Sequence, residues 1–331
     1  MMTETLTGPA GLPEEARAAA REDFHDLTRR LSARSVDKHF DAYADVDWDN
    51  PANRIDPADP IWELEPEHAL GRTAWYRAQP DAVRRRLGLH LIAASMRTGL
   101  EFENVLTRGL LLFAFHLPSS APEFRYAYHE AIEESQHSLM FGEFVARAGL
   151  PVPGVGGLRR VLSHRVVSMA RAFPELFFIF VLGGEDPIDH VQRTVLSSGQ
   201  PVHPLLRRIM QIHITEEARH LCFAREYLRT RVPELSASRR AALAIAAPLV
   251  LGVMARTMLR APAEVARAYQ IPAAVLAEAY GHPAHRARVV ASLAKVRDLC
   301  DDLGLRSAPA RALWRALAIE AEAGAPAGAQ S

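Results

Sequence analysis

The sequence predicts an all-α protein whose centre is a four-helix bundle. Along most of its 331 residues, apolar side chains recur at three- and four-residue steps, the period of a helix that buries one face. No stretch alternates apolar and polar residues for long enough to indicate a strand. Proline and glycine lie between the periodic segments and mark where helices begin and end.

The N-terminal part of the chain is the least regular. A surface helix is predicted over 13–31. Residues 37–66 are rich in Asp, Pro and Trp and lack a helical period, so we expect an irregular strap over the bundle, anchored by Trp48 and Trp62. We expect one domain over 1–331, in which 1–80 form this helix and strap.

Four segments between 81 and 231 form the predicted core. The second begins with Ser120-Ala-Pro-Glu123, which has the pattern of a capping box. The third is interrupted at Pro174 and again over 183–187, where two glycines and a proline predict a kink or a restart. The predicted core helices are 81–115, 120–148, 158–197 and 204–231. Further helices within 232–322 are predicted at 236–260, 262–269 and 283–303, followed by a frayed tail from Ala323.

Composition and charge exclude several classes of protein. Hydrophobic residues make up 49% of the chain and charged residues 24%, which is typical of a globular protein. Lys and Arg number 39 and balance 39 Asp and Glu, so neither nucleic acid nor an anionic membrane is an expected partner. Two cysteines make no disulfide framework, and residues 1–10 lack the features of a signal peptide, so we expect a cytoplasmic protein. The longest apolar run, 241–255, is shorter than the ~20 residues of a membrane span and predicts a buried helix.

Two core segments carry the pattern Glu-x-x-His, at Glu134–His137 and Glu217–His220, and His213 precedes Glu217 by one helical turn. Positions i and i+3 share a helix face, so each motif directs a carboxylate and an imidazole to one point. Both motifs interrupt apolar stripes. Such groups are costly there unless they are paired or bind a metal, so the sequence predicts a dimetal site.

The bare motif is weak, and its context gives it meaning. With 24 Glu and 14 His, chance supplies about one Glu-x-x-His, and the chain has four. We interpret 22–25, in a charged segment, and 65–68, in a proline-rich one, as chance matches. A single buried histidine is more often a core residue with its own hydrogen-bond partner. Two such motifs on two core helices favour a metal.

Two further carboxylates are needed, and each has a competitor. Glu103 shares a face with apolar residues and precedes Glu134 by 31 residues, whereas Glu101 lies on a face with arginines. Glu185 precedes Glu217 by a similar 32 residues, whereas Glu175 lies ten residues earlier. We therefore favour Glu103 and Glu185.

Residues around these ligands have candidate supporting roles. Asp189, one turn after Glu185, is a candidate acceptor for the far nitrogen of a ligating histidine, the alternative being an exposed aspartate. Glu130 is a weaker candidate of the same kind. Glu133, Glu216 and Arg219 are interpreted as solvated or structural. The predicted ligands are Glu103, Glu134, His137, Glu185, His213, Glu217 and His220, a sulfur-free set that suits iron or manganese.

These motifs resemble the diiron arylamine N-oxygenases, typified by p-aminobenzoate N-oxygenase. Glu134-Ser-Gln-His137 is similar to that family's first motif. His213-Ile-Thr-Glu-Glu217-Ala-Arg-His220 is similar to its second, including a third histidine four residues before the glutamate. The ending at 296–304 also resembles the family. The resemblance implies a ferritin-like fold and two iron ions on the seven predicted ligands, with manganese possible after mis-loading.

The resemblance also implies an activity. The protein would use O₂ to oxidise a small amine, an arylamine, to hydroxylamine, nitroso and nitro products through a peroxo-diferric intermediate, in natural product biosynthesis. It implies an external electron donor and a homodimer. Arg286, Arg288 and Arg297 are available to hold a substrate carboxylate, but none matches the family residue by residue.

Three other functions remain open from the sequence. A diiron hydroxylase or desaturase acting on carbon would use the same ligand set, although His213 favours N-oxygenation. A metal-storage protein is disfavoured by the chain's length and extra helices. The remaining hypothesis is a non-catalytic helical bundle, which a low iron content of the protein would favour over the others.

Overall fold

The computed structural model describes residues 13–154 and 157–320, without the side chains of 157–159. The described residues form helices, turns and loops and no strand, so the all-α prediction is confirmed. The predicted frayed tail from Ala323 lies outside this range. The helices are α1 Glu14–Asp37, α2 Ala74–Arg77, α3 Asp81–Phe115, α4 Pro122–Ala148, α5 Gly157–Ala172, α6 Pro174–Ser197, α7 Pro204–Arg231, α8 Ala237–Leu259, α9 Ala263–Ala268, α10 Ala273–Gly281, α11 Pro283–Ser292, α12 Ala294–Asp302 and α13 Ala308–Ala316.

The core consists of α3, α4, α6 and α7. Helix α3 packs along α4, and α6 packs along α7, while α1 covers α4 and α7 and α8 lies against α6. Helices α3 and α7 have the predicted bounds. The prolines at the starts of α4, α6 and α7 fit the first helical turn, where a backbone N–H has no helical partner.

The predicted capping box of α4 does not form. The residue before the helix is Ala121, and no side chain caps the helix there. Pro122 takes the first helical position, so the helix begins after Ser120, which lies in the preceding turn. The capping-box prediction was therefore wrong.

The predicted second break in the third core helix is also absent. Chain direction changes at Phe173, as predicted, but α6 continues through 183–187 with Pro187 inside it. The two glycines serve close helix packing instead. A Cβ on Gly184 would lie 2.1 Å from the Phe102 ring of α3, and one on Gly183 would lie 3.1 Å from Leu251 of α8.

The strap is anchored by its tryptophans, as predicted. Trp48 and Trp62 are buried. The indole nitrogen of Trp62 donates to the Asp56 carbonyl oxygen at 2.8 Å, and its ring stacks on His203 at 4.6 Å between centroids. Helix α1 extends six residues beyond the predicted 31 and is not only a surface helix, because it buries Phe24 and Leu31.

The C-terminal region has more helices than predicted. The segment predicted as one helix over 283–303 is divided at Leu293 into α11 and α12, and α10 and α13 were not predicted. One described segment, Ala237–Ala268, is long and apolar enough to cross a membrane by length and composition alone. Core helices of soluble proteins meet the same criteria of length and composition. Helix α8 buries Leu243 and Leu251 in the main hydrophobic core.

Candidate metal centre

The four core helices bring all seven predicted ligands to one place inside the bundle. Each of these residues is at most 1% exposed. Overlapping groups of three have their nitrogen and oxygen atoms within 4.8 Å of one another. Helix α3 contributes Glu103, α4 contributes Glu134 and His137, α6 contributes Glu185, and α7 contributes His213, Glu217 and His220.

The two Glu-x-x-His motifs face each other. Nδ1 of His137 lies 2.9 Å from Glu134 and 3.5 Å from Glu217. Nδ1 of His220 lies 3.0 Å from Glu217 and 3.1 Å from Glu134. Each imidazole therefore directs Nδ1 toward the carboxylates of both motifs.

His213 presents its other nitrogen to the same cluster. Its Nε2 lies 3.6 Å from Glu103 and 4.0 Å from both Glu185 and Glu217. The ring packs between His137 and Phe141, at centroid distances of 4.7 and 5.4 Å. His213 thus supplies a third imidazole on the side of Glu103 and Glu185.

The competing carboxylates lie elsewhere. Glu101 pairs with Arg97 at 2.7 Å on a half-exposed face. Glu175 is buried near the start of α6, and its carboxylate lies 3.7 Å from Arg239. Neither belongs to a described group of possible metal ligands. Glu22–His25 and Glu65–His68 likewise lie outside the cluster.

Asp189 does not contact a ligating histidine, so its predicted role was wrong. Its buried carboxylate accepts from Arg193 at 2.7 Å and lies 3.5 Å from Lys295. Together with Asp186 it lines a cavity of about 340 Å³ between α6, α11 and α12. Its partners are therefore Arg193 and Lys295 and not a histidine of the cluster.

The residues that hold the histidines are Glu133 and Glu216, which were interpreted above as solvated or structural. Nε2 of His220 donates to Glu133 at 2.7 Å, and Nε2 of His137 donates to Glu216 at 2.9 Å. Arg219 donates to Glu133 at 2.8 Å and lies 3.7 Å from Glu216. The signal in the sequence was the doubled glutamate: both motifs read Glu-Glu-x-x-His.

The strap reaches this network directly. The backbone N–H of Phe40 donates to Glu216 at 3.2 Å, and that of Ala42 donates to Gln136 at 2.9 Å. Glu216 therefore joins the strap to the ring of His137. Such hydrogen bonds fix the orientation and tautomer of a ligating imidazole.

The electrostatics of the cluster reflect many carboxylates in little solvent. Burial, reinforced by neighbouring carboxylates, holds the pKa of Glu103 and of Glu185 well above the usual value. Burial opposes the charge of His137, but its bonds to Glu134 and Glu216 prevail and raise its pKa to about 10. Burial and the nearby His137 hold the pKa of His213 well below its usual value. The charged form of these carboxylates is therefore unfavourable unless a positive charge lies between them.

The donor chemistry fits a dimetal centre. Glu103, Glu134, Glu185 and Glu217 each leave one buried oxygen without a hydrogen-bond partner. A buried charged oxygen without a partner is costly, and metal coordination removes that cost. Four carboxylates balance two divalent cations, and oxygen with imidazole donors suits iron or manganese.

Glu130 adds an eighth polar group beside the cluster. It lies with Glu134 and His220 in one group of possible ligands, and neither of its oxygens has a hydrogen-bond partner. Burial raises its pKa to about 8. Glu130 was only a weak candidate for contacting a histidine, because its distance from the facing helix is not visible in the sequence.

The fold and the donor set together define a ferritin-like bundle with a candidate dimetal centre. The model of the family described as p-aminobenzoate N-oxygenase AurF matches residues 21–304. The chain therefore belongs to the p-aminobenzoate N-oxygenase family, and that family implies a diiron centre.

The similar curated proteins are mycobacterial. Proteins described as uncharacterized, from Mycobacterium tuberculosis strains CDC 1551 and H37Rv and from Mycobacterium bovis, are 38% identical to the chain over 299 residues. The match covers 90% of this chain and 88% of each relative. No solved structure matches the chain significantly.

Proposed function

We propose that the protein is a non-haem diiron N-oxygenase that uses O₂ to oxidise a small amine, an arylamine, toward hydroxylamine, nitroso and nitro products. The observation that carries the proposal is the convergence of four buried carboxylates and three imidazoles, His213 among them, in a member of the p-aminobenzoate N-oxygenase family. The site needs a reductant from outside the chain. We further propose that it acts in the cytoplasm as a homodimer.

The residues proposed to hold two iron ions are those whose oxygens and nitrogens meet in the cluster. When bound, the iron pair supplies the redox chemistry that reduces O₂. Four carboxylates neutralise two divalent ions and also favour the trivalent state, which the reduction of O₂ requires. The seven proposed ligands are Glu103, Glu134, His137, Glu185, His213, Glu217 and His220.

The protein's own side chains position these groups and exclude water. Glu133 and Glu216 hold the far nitrogens of His220 and His137, so that Nδ1 of each ring points at the carboxylates. Their own charge is offset by Arg219. All seven ligands are closed off from solvent by the core, so a reacting amine would meet little competing water.

His213 is the residue on which the choice of nitrogen over carbon depends. It adds a neutral imidazole donor beside Glu103 and Glu185, where burial and His137 disfavour its protonation. When iron is bound, this third imidazole would add neutral donor density to one iron. This supports attack on an electron-rich nitrogen rather than on an unactivated C–H bond.

The test is single turnover. The full chain is loaded with Fe(II), reduced, and mixed with O₂ and p-aminobenzoate or aniline, and the products are separated by mass. We expect about two irons per chain and oxygen from O₂ on nitrogen in the products. Ring or side-chain hydroxylation would replace this proposal with the carbon-oxidising one. Fewer than about one iron per chain would indicate a non-catalytic bundle.

A further inference from the structure

Two arginines from distant parts of the chain converge outside the metal centre. Nη2 of Arg72, at the end of the strap, donates to the carbonyl oxygen of Glu67 at 2.6 Å. Nη2 of Arg288, on α11, donates to the same oxygen at 3.3 Å. Among the described residues, these two guanidiniums bond to the carbonyl oxygen of Glu67 and, from Arg72, to the ring of His282. Neither has a described carboxylate within the 4.0 Å of an ion pair.

Two histidines, His68 and His285, lie near enough for the charges of these arginines to lower the pKa of each ring. Nδ1 of His68 accepts from the backbone N–H of Leu70 at 3.1 Å, so the proton of the neutral ring is on Nε2. His285 is 5% exposed and its Nε2 has no hydrogen-bond partner. Nε of Arg72 is buried and also has none. These buried nitrogens of Arg72 and His285 therefore have hydrogen-bonding capacity that no described residue uses.

The charge at this place is positive and poorly compensated. Burial and the neighbouring Arg72 lower the pKa of Arg288, and only the exposed carboxylate of Glu67 acts in the other direction. Burial, with nearby arginines, lowers the pKa of His68 and of His285 to about 4, so both rings are neutral near pH 7. Both guanidiniums are partly exposed and neither pairs with a described carboxylate, so their positive charge favours an anion from solution.

A purely structural role explains only part of this arrangement. The two arginines could simply fix the turn at Glu67 through its carbonyl oxygen. That role leaves two buried nitrogens, Arg72 Nε and His285 Nε2, without partners, which proteins rarely tolerate. One arginine would also be enough to hold the carbonyl oxygen of Glu67, whereas two donate to it.

We propose that Arg72, Arg288, His68 and His285 form a binding site for an oxyanion, the phosphate or carboxylate group of a small molecule. The planar fork of an arginine donates two parallel hydrogen bonds to such a group, and neutral imidazole N–H groups complete its coordination. The site joins the end of the strap to α11, so its ligand bridges the N-terminal and C-terminal parts of the chain.

The experiment is a calorimetric titration of the full chain with inorganic phosphate and, separately, with benzoate, at constant ionic strength. We expect saturable binding of one of them, which identifies the kind of group. Arg288→Gln and Arg72→Gln should each weaken it about tenfold or more, the cost of losing hydrogen bonds between charged groups. The control is Arg267→Gln, which removes an exposed arginine paired with Glu264 and should leave the affinity unchanged.

If Arg72→Gln does not fold, His285→Leu and Arg288→Lys keep the test open. His285→Leu removes the unpartnered donor without a change of charge, and it should weaken binding while a structural contact at Glu67 is retained. No saturable binding of either anion overturns the proposal, and so does binding that Arg288→Gln and His285→Leu leave unchanged.

Discussion

Nε2 of His220 donates a hydrogen bond of 2.7 Å to Glu133 on the facing helix, and His137 and Glu216 form the reciprocal pair at 2.9 Å. Glu133 directly precedes the proposed ligand Glu134, and Glu216 directly precedes the proposed ligand Glu217. The two motifs thus hold each other's histidines. Arg219 contacts both glutamates and neutralises part of their charge.

Glu216→Gln should weaken iron binding about 10- to 100-fold, the usual loss when the partner of a ligating histidine is changed. The amide can no longer accept with a full negative charge from His137, and it also weakens the contact with the strap at Phe40. Iron affinity is measured by competition with a chelator. Glu226→Gln is the control, because that side chain pairs with Arg229 on the exposed face of the same helix. Equal affinities of the two variants would contradict this role.

Glu103→Ala and Glu101→Ala form a matched pair on α3. Glu103→Ala removes a buried carboxylate of the cluster and should reduce the iron content below that of the unchanged protein. Glu101→Ala removes only the pairing with Arg97 and should leave the iron content unchanged. Metal analysis after anaerobic loading distinguishes them. Iron loss from Glu101→Ala alone would show that the wrong carboxylate was assigned.

Removal of iron should destabilise the protein. Without metal, the histidines of the cluster offset only part of the burial of the four carboxylates, each of which keeps one oxygen without a hydrogen-bond partner. A ligand that binds only the folded state stabilises it by about 2.7 kcal/mol at a concentration 100 times its Kd. Calorimetric melting with iron and after chelation should show a lower Tm for the metal-free chain. In Glu103→Ala the difference should shrink, and an equal difference there would argue against a stabilising role for this site.

Gly88→Ala should destabilise the fold by about 1–3 kcal/mol, the usual cost of overpacking. A Cβ at this position of α3 would lie 1.7 Å from the carbonyl oxygen of Trp62, so the strap would have to move. Gly281→Ala is the matched control, because nothing lies within 4 Å of its Cβ. It should be neutral or slightly stabilising. Urea unfolding followed by circular dichroism measures both variants, and equal stabilities would show that the strap yields freely.

Stability should fall as the pH falls from about 6.5 to about 4, in part because of His68. Burial, with the charges of Arg288, His285 and Arg72, lowers the pKa of this ring from 6.5 to about 4. Between these pH values the ring of His68 binds a proton in the unfolded chain but not in the folded protein. The contribution of His68 to the free energy of unfolding is therefore complete above pH 6.5. It is lost as the pH falls toward 4, and the loss is at most about 3 kcal/mol.

His68→Asn isolates that contribution, because an asparagine can still accept from the N–H of Leu70 but does not titrate. The free energy of unfolding is measured at pH 7 and pH 4.5, without phosphate or carboxylate buffers. The variant should lose less stability than the unchanged protein between the two values. Equal losses would show that His68 is not the titrating group.

The helical class, the bounds of α3 and α7 and the motifs that carry the proposed ligands could all be predicted from the amino-acid sequence. These features are local: helical period, proline at a first turn and i, i+3 spacing depend on neighbours within one helix. The burial of Glu103 and Glu185 could also be predicted. Glu103 lies on an apolar helix face, and the two residues precede Glu134 and Glu217 by nearly equal intervals of 31 and 32 residues.

The contacts between side chains of different helices became known from the folded structure. It shows that α6 continues through 183–187, with its glycines against Phe102 and Leu251. It also shows that Asp189 contacts Arg193 and Lys295. The pairing of Glu133 with His220 joins residues 87 positions apart. Sequence spacing reports the rotation of a residue on its own helix, but not the distance to a neighbouring one, so contacts between helices could not be predicted from it.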